Sequence, residues 1–259
     1  MTRQKDEKNN INKGLLILST FDETSPMQRT TDIVAKLGMN MSTVSRHLNN
    51  LLDLGFLERD DATGQYFVGL EVISLAGAAL HNSVLYRYAY PELQKLSFQY
   101  EVHSHMSVPQ DTDIIHVISV SCEKNMELLI PMGHRHPMYC SAMGRAILAF
   151  RPEDEIQRIL KKSDLKRYTS ETKTGVPEIM QSLKIVRELG YSIVVDELDM
   201  GVGSIAAPIL NRHRKPVGAI SISASRRRIE EVISGDRALL KNVIAVAGRI
   251  SAKLGYFPK

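Results

Sequence analysis

Over residues 1–69 the apolar positions fall into three short helical groups followed by an alternating stretch. Ile11, Leu15 and Leu18 keep helical spacing, and the turn formers of Phe21-Asp-Glu-Thr-Ser-Pro26 end that group. Ile33, Val34 and Leu37 mark a second helix over residues 31–37, with Gly38 as its stop. A third helix starts near Met41 or Ser42, with Asn40 or Ser42 as N-cap, and runs to Leu54 before Gly55. Val44, Leu48, Leu51 and Leu52 form its apolar side. Ser42, Ser45, Arg46, Asn49 and Asp53 share a polar stripe on the other. Phe56-Leu-Glu-Arg59 and Gln65-Tyr-Phe-Val68 then flank the turn Asp60-Asp-Ala-Thr-Gly64, which predicts a hairpin.

Residues 70–82 are small and apolar and predict a connecting helix that leads into a longer one ending near Tyr100, with Pro91 in the first turn of the latter. Beyond it, strand-like and helical patterns alternate. Residues 113–120, 127–130, 191–195, 204–210 and 216–223 predict strands, and Asn211-Arg-His-Arg-Lys215 joins the last two as a hairpin. Residues 141–150, 153–161 and 176–189 predict helices, and Leu239, Leu240, Val243, Ile244, Ala247, Ile250 and Leu254 mark a final amphipathic one. Helices against a largely antiparallel sheet make the second half an α+β domain.

Three helices and a hairpin in this order spell a winged helix-turn-helix. A recognition helix enters the major groove only if its outward face is small, polar and able to donate to bases and phosphates. Ser42, Thr43, Ser45, Arg46 and Asn49 meet that need, and Arg29 and Thr31 are candidate contacts from the preceding helix. A polar stripe by itself marks only a solvated face; the order of elements around it is what points to DNA.

Composition adds less than it first suggests. The 259 residues carry a net charge of +4, but residues 1–69 hold eight Lys and Arg against nine Asp and Glu, so the surplus lies in the remainder, at +5. Around residues 26–50, however, Arg29, Lys36 and Arg46 face Asp32 alone. The two cysteines, Cys122 and Cys140, read as reduced thiols rather than a bridge. The first apolar run is too short for a signal peptide, and no stretch approaches a membrane span, so a soluble cytoplasmic protein is expected.

Four stretches carry a resemblance. They are His136-Pro-Met-Tyr-Cys-Ser-Ala-Met-Gly-Arg-Ala-Ile-Leu-Ala149, Arg167-Tyr-Thr-Ser170, the run from Gly190 to Pro208, and Gly218-Ala-Ile-Ser-Ile-Ser223. In this order and spacing, the chain resembles the IclR-type bacterial transcriptional regulators from about Gly14 to its C-terminus. Residues 1–10, polar and charged, read as a disordered tail, and the resemblance implies a winged helix-turn-helix over 11–69 and a linker helix over 70–90. A GAF-like domain for effector binding and oligomerisation would then occupy 91–259. It also implies homodimers, or dimers of dimers, on palindromic double-stranded operators, and a transcriptional regulator, such as a repressor, whose operator binding a small organic acid modulates, with no cofactor and no membrane partner. In the family, amides at the start of the helix in the His136–Ala149 stretch hold an effector carboxylate, and these fall on Ala142 and Met143. A helix N-terminus suits an anion on physical grounds as well. Asp196, Ser204, Ser221 and Ser223 carry over as further effector contacts, although the serines are equally open to bonding within the sheet. Relatives commonly have acidic residues where this chain has Val194 and Val195, a change that favours a less hydroxylated effector.

Other chemistries fit less well. His103 with His105 and His134 with His136 form i, i+2 pairs near Cys122 and Cys140, but no spacing enforces four converging metal ligands. Neither Ser141 nor Cys140 has the context of a catalytic nucleophile, so the chain is not expected to be an enzyme. Met126, Met132, Met138 and Met143 fit an adaptable pocket lining or plain core filler. Arg226-Arg-Arg228 reads as a solvated loop or a phosphate contact. A protein-interaction adaptor built on a winged helix is the remaining alternative; it predicts weak, sequence-indifferent DNA binding.

Overall fold

Helices α1 (Thr2–Leu18), α2 (Thr30–Leu37) and α3 (Met41–Asp53) close on one another because each offers a short apolar face. Ile17, Ile33, Val44, Leu48 and Leu51 meet in one core with Leu57 and Tyr66 from the hairpin β1 (Leu57–Arg59) and β2 (Tyr66–Val68). The computed structural model describes residues 2–121, 130–235 and 237–257, and the chain divides into two units, residues 1–82 and 83–259. The turn between α2 and α3 depends on Gly38, whose φ of 63° is left-handed and whose N–H closes α2 onto the Val34 carbonyl at 2.9 Å. Asn40 then caps α3 by accepting from the Thr43 N–H at 2.8 Å. The hairpin is tied back to α2 through Gln28, which exchanges backbone hydrogen bonds with Tyr66 at 2.8 and 2.9 Å.

Three expectations change over residues 1–100. Backbone helix begins at Thr2, where the sequence suggested a frayed tail over residues 1–10. The expected connecting helix and the longer one after it are α4 (Glu71–His81) and α5 (Val84–Tyr100), but the bounds 70–90 for the linker run past their junction at Asn82 and Ser83, where Ser83 caps α5 by accepting from the Tyr86 N–H at 3.2 Å. Pro91 lies inside α5 rather than in its first turn.

In the second unit, the described strands form one antiparallel sheet in the order β5-β4-β3-β8-β7-β6. They are β3 (His103–Gln110), β4 (Asp113–Val120), β5 (Arg135–Pro137), β6 (Ser192–Val195), β7 (Val202–Leu210) and β8 (Pro216–Ser225). Strands β3 and β5 were not anticipated, and the strand expected at residues 127–130 lies largely outside the described residues, as do Cys122 and Met126. One face of the sheet is apolar. Met106, Ile118, Ile205, Ile220 and Ile222 pack there against α5, α9 (Arg226–Ser234) and α10 (Ala238–Lys253). The Arg226–Arg228 run is therefore the first turn of α9, capped by Ser225, and not a loop.

The other face meets α6 (Ala142–Leu148), α7 (Glu153–Lys162) and α8 (Val176–Leu189), and near the middle of the sheet it is polar. Register aligns Ser119, His105, Ser221, Ala206 and Ser192 in one row across the strands. His103, Ser223, Ser204 and Val194 form the next row, and His116, Ser107, Ala219 and Pro208 another. Residues two apart on a strand share a face, so these rows lie side by side. Burial pushes His105 down to about 3, His116 to about 2 and His136 to about 4, and neighbouring histidines push the same way.

Helix α6 is anchored by a buried ion pair. Arg145 donates from both terminal nitrogens to Glu197 at 2.5 and 2.6 Å, and its Nε donates to the Tyr139 carbonyl at 2.8 Å. Glu197 also accepts from the Lys173 N–H and Nζ, each at 3.1 Å. Burial raises the Glu197 carboxyl, but Arg145 and Lys173 outweigh it and hold the group below its ordinary value. Gly144 permits the close approach of α6 to the preceding segment, since a Cβ there would sit 2.3 Å from the Met138 Cα.

Two stability predictions follow from these groups. Glu197→Ala leaves the Arg145 charge buried with no carboxylate, and should cost about 3–5 kcal/mol in urea unfolding. The three depressed histidines stay neutral in the folded chain while the unfolded chain protonates below about pH 6.5. Stability should therefore fall on acidification from that point by up to about 1.4 kcal/mol per pH unit for each histidine. The Glu197 contribution is present above its ordinary carboxyl value and is lost at still lower pH. Melting temperature measured from pH 7 to 5 checks the histidine part, and His105→Asn should flatten the slope.

Candidate functional site

The exposed side of α3 carries Ser42, Arg46 and Asn49, with Thr43 and Ser45 half-buried beside them. The apolar side of the helix is fully committed to the core, so this stripe is held outward by packing rather than by its own preference. Ser42 donates to Asn40 at 3.1 Å, and Arg46 donates to Asn10 of α1 at 3.4 Å. Arg29 and Thr31 are exposed at the start of α2, where the Arg29 N–H donates to the Asp32 carboxylate at 2.8 Å. His47, on the inner side of α3, was overlooked in the sequence; it is buried, and burial together with Arg46 and Lys13 lowers its pKa. Its signal was available, since position 47 lies between Val44 and Leu48 on the apolar arc.

In the second unit, Ala142 and Met143 open α6 and are buried, and α6 packs on β7 and β8. Ser141 caps this helix by accepting from the Gly144 N–H at 3.2 Å, so the cap does not occupy the Ala142 and Met143 amides. Ser204 and Ser223 face each other across β7 and β8 with their hydroxyls 2.8 Å apart, and Ser221 lies on the same face. Val194 is on this face, whereas Val195 packs on the apolar side of the sheet.

Asp196 is drawn elsewhere. One carboxylate oxygen accepts from the Gly201 N–H at 2.6 Å and the other pairs with Arg226 at 2.7 Å, so it holds a turn and the start of α9. Both its oxygens are thus engaged within the chain, which runs against its expected contact with effector. The same face also holds residues that were not singled out as effector contacts: Ser107, His105, His116 and Ser192. Of these, His105 belongs to one of the two i, i+2 histidine pairs weighed as metal ligands from the sequence, and His116 to neither. Among the described residues, no group of three or more His, Cys, Asp or Glu is placed to hold a metal ion. Met138 and Met143 are buried with α6, and Met132 is exposed. Among the described residues no helix is long and apolar enough to cross a membrane.

Comparison with known proteins matches these two regions separately. Residues 11–61 match the IclR helix-turn-helix domain and residues 77–252 the bacterial transcriptional regulator IclR C-terminal family. The HTH-type transcriptional regulator KdgR of Escherichia coli K12 is 28% identical over 257 residues, covering 99% of this chain and 96% of KdgR. The crystal structure of an IclR transcriptional regulator from Alicyclobacillus acidocaldarius is 26% identical with a TM-score of 0.83, over 95% of this chain and 98% of that one. An IclR homolog from Microbacterium hydrocarbonoxydans, solved in complex with 4-hydroxybenzoate, shares the fold at 20% identity and a TM-score of 0.80, over 95% of this chain and 99% of the other. With both regions matched in order across most of its length, the chain belongs to the IclR family of DNA-binding transcriptional regulators.

Proposed function

We propose that the chain binds a palindromic operator through α3 and that a small organic acid, seated between α6 and the polar face of the sheet, sets its affinity for that operator. The observation that carries this reading is the coexistence of two surfaces with different chemistry. One is the exposed, donor-rich side of α3; the other is a buried sheet face on which serines and histidines stand where aliphatic residues would make a simpler core. A core of the second kind is less stable than an apolar one unless its polar groups find partners, which a ligand supplies. That the Microbacterium relative was solved with 4-hydroxybenzoate supports an organic acid of this size as the class.

On the DNA side, Ser42, Thr43, Ser45, Arg46 and Asn49 reach bases or phosphates, and Arg29 and Thr31 contact the backbone from α2. Helix α4 supports a homodimer: none of its residues is buried, and Leu70 beside it with Ile73 and Leu75 on it are more than half exposed. A second copy covering this surface would place two recognition helices on one palindrome, and dimers of dimers would follow from the second unit. The effector acts by linkage, binding one arrangement of the units more tightly than another. A regulator of this kind works in the cytoplasm, where its operator is.

Two measurements test the two halves. Arg46→Ala should weaken binding to a fragment selected by the protein from random DNA by about 1–3 kcal/mol, and weaken binding to unselected DNA less. Equal losses on both would make Arg46 a phosphate contact, and no selectable fragment at all would favour a protein-interaction adaptor. A melting-temperature screen against metabolic acids should find ligands that also change operator affinity. The double variant Ser221→Ala/Ser223→Ala should lose that stabilisation while keeping operator binding.

A further inference from the structure

We propose that His105, His116 and Ser107 form the end of the effector site that recognises an uncharged hydrogen-bonding group of the ligand, a hydroxyl or a carboxamide; this rests on the effector reading above.

Each ring is fixed by one nitrogen and leaves the other over. His105 Nδ1 bonds Ser119 at 3.0 Å, and His116 Nε2 bonds His136 Nδ1 at 3.1 Å. The second nitrogens, His105 Nε2 and His116 Nδ1, are buried and have no hydrogen-bond partner. The Ser107 hydroxyl, opposite His116 in the β3–β4 register, is buried and unpartnered as well. The rings of His105 and His116 stand edge to face with centroids 5.6 Å apart, so these three atoms belong to one cluster on one face of neighbouring strands. Buried polar groups without partners are few in folded proteins, and a local concentration of them points to a partner from outside the chain.

The chemistry of the cluster narrows that partner. Burial keeps both imidazoles neutral, and among the described residues the charges that perturb them belong to other histidines, with no lysine or arginine among them. A carboxylate brought here would lose its hydration and, among the described residues, meet no cation that acts on these rings, while an alkyl end would leave all three groups unpaired. A neutral imidazole offers a donor or an acceptor according to tautomer, and a serine hydroxyl offers both. A hydroxyl or carboxamide matches that mixture. The three atoms are closed to solvent, so a ligand reaches them only by displacing what covers them, and the new hydrogen bonds offset that displacement. On this proposal hydroxyl recognition falls to β3 and β4, against the expectation of a less hydroxylated effector drawn from Val194 and Val195.

Calorimetry and thermal shift on the full chain test this with probes that share a carboxylate and differ at the far end. One set is 4-hydroxybenzoate against benzoate and terephthalate; the other is succinamate against butyrate and succinate. In at least one set the hydroxyl or carboxamide probe should bind about tenfold more tightly than its partners, as expected when a mismatched end leaves buried groups unpaired. Ser107→Ala should reduce that preference and, without ligand, should raise the melting temperature, because it removes an unpartnered buried hydroxyl. His105→Phe should abolish the preference. Probes that bind without regard to the far end would overturn the inference and leave the effector reading standing. A lowered melting temperature in Ser107→Ala, or no binding by any of the six probes, would overturn it too. The effector reading itself falls only if the wider acid screen finds nothing that alters operator affinity.

Discussion

A guanidinium taken into a protein core must be matched there, and the position of Arg145 dictates much of the second unit's geometry. Its partner Glu197 sits just past β6, so the pair joins α6 to the edge of the sheet. The Nε bond to Tyr139 holds the segment leading into α6, and the Lys173 contacts hold the loop before α8. Thr172 adds a bond from that loop to the Glu197 carbonyl at 2.7 Å, and Thr169 another to the Asp196 carbonyl at 2.5 Å. The helix start at Ala142, the rim of the sheet and the loop across it are thereby one mechanical piece. The polar face beneath α6 keeps its dimensions because this clamp lies at its border and not within it.

Much of this was legible in the residues, and what was hidden was hidden for physical reasons. The winged helix-turn-helix was readable because its apolar positions are few and regularly spaced and its stops are Gly38 and Gly55. Helix α8 was readable to the residue, with Pro177 near its start and Gly190, at φ 80°, after its end. Strand β3 escaped because its positions on one face are His103, His105 and Ser107 and the other face begins with Ser104, so only Met106 and Val108 are left to mark the apolar half of the alternation. Helix α9 escaped because three arginines open it; only Ser225 ahead of them signalled a cap.

The candidate site divides along the same line. Ser204, Ser221 and Ser223 share a face because strand geometry requires it, and that could be inferred from spacing. The diversion of Asp196 could not, because it depends on a left-handed turn at φ 59° and on an arginine thirty residues away meeting its carboxylate. Nor could the polar cluster on β3 and β4, since it arises from the antiparallel register that sets His116 opposite Ser107. Short-range pattern reports which way a side chain points, and only the register reports what it meets.

The Ser204–Ser223 pair has a consequence of its own. Two hydroxyls in mutual contact need only one hydrogen between them, and either oxygen can supply it. Whichever donates to its neighbour leaves the other's hydrogen to turn outward. Rotation about two C–O bonds thus relocates a donor across the strand pair without moving a heavy atom. A surface built this way is indifferent to which of two adjacent atoms on an incoming molecule accepts, while remaining strict about where both of them lie. In the proposed effector site, such a pair would tolerate swapped functional groups among related acids and still reject one whose skeleton is the wrong length.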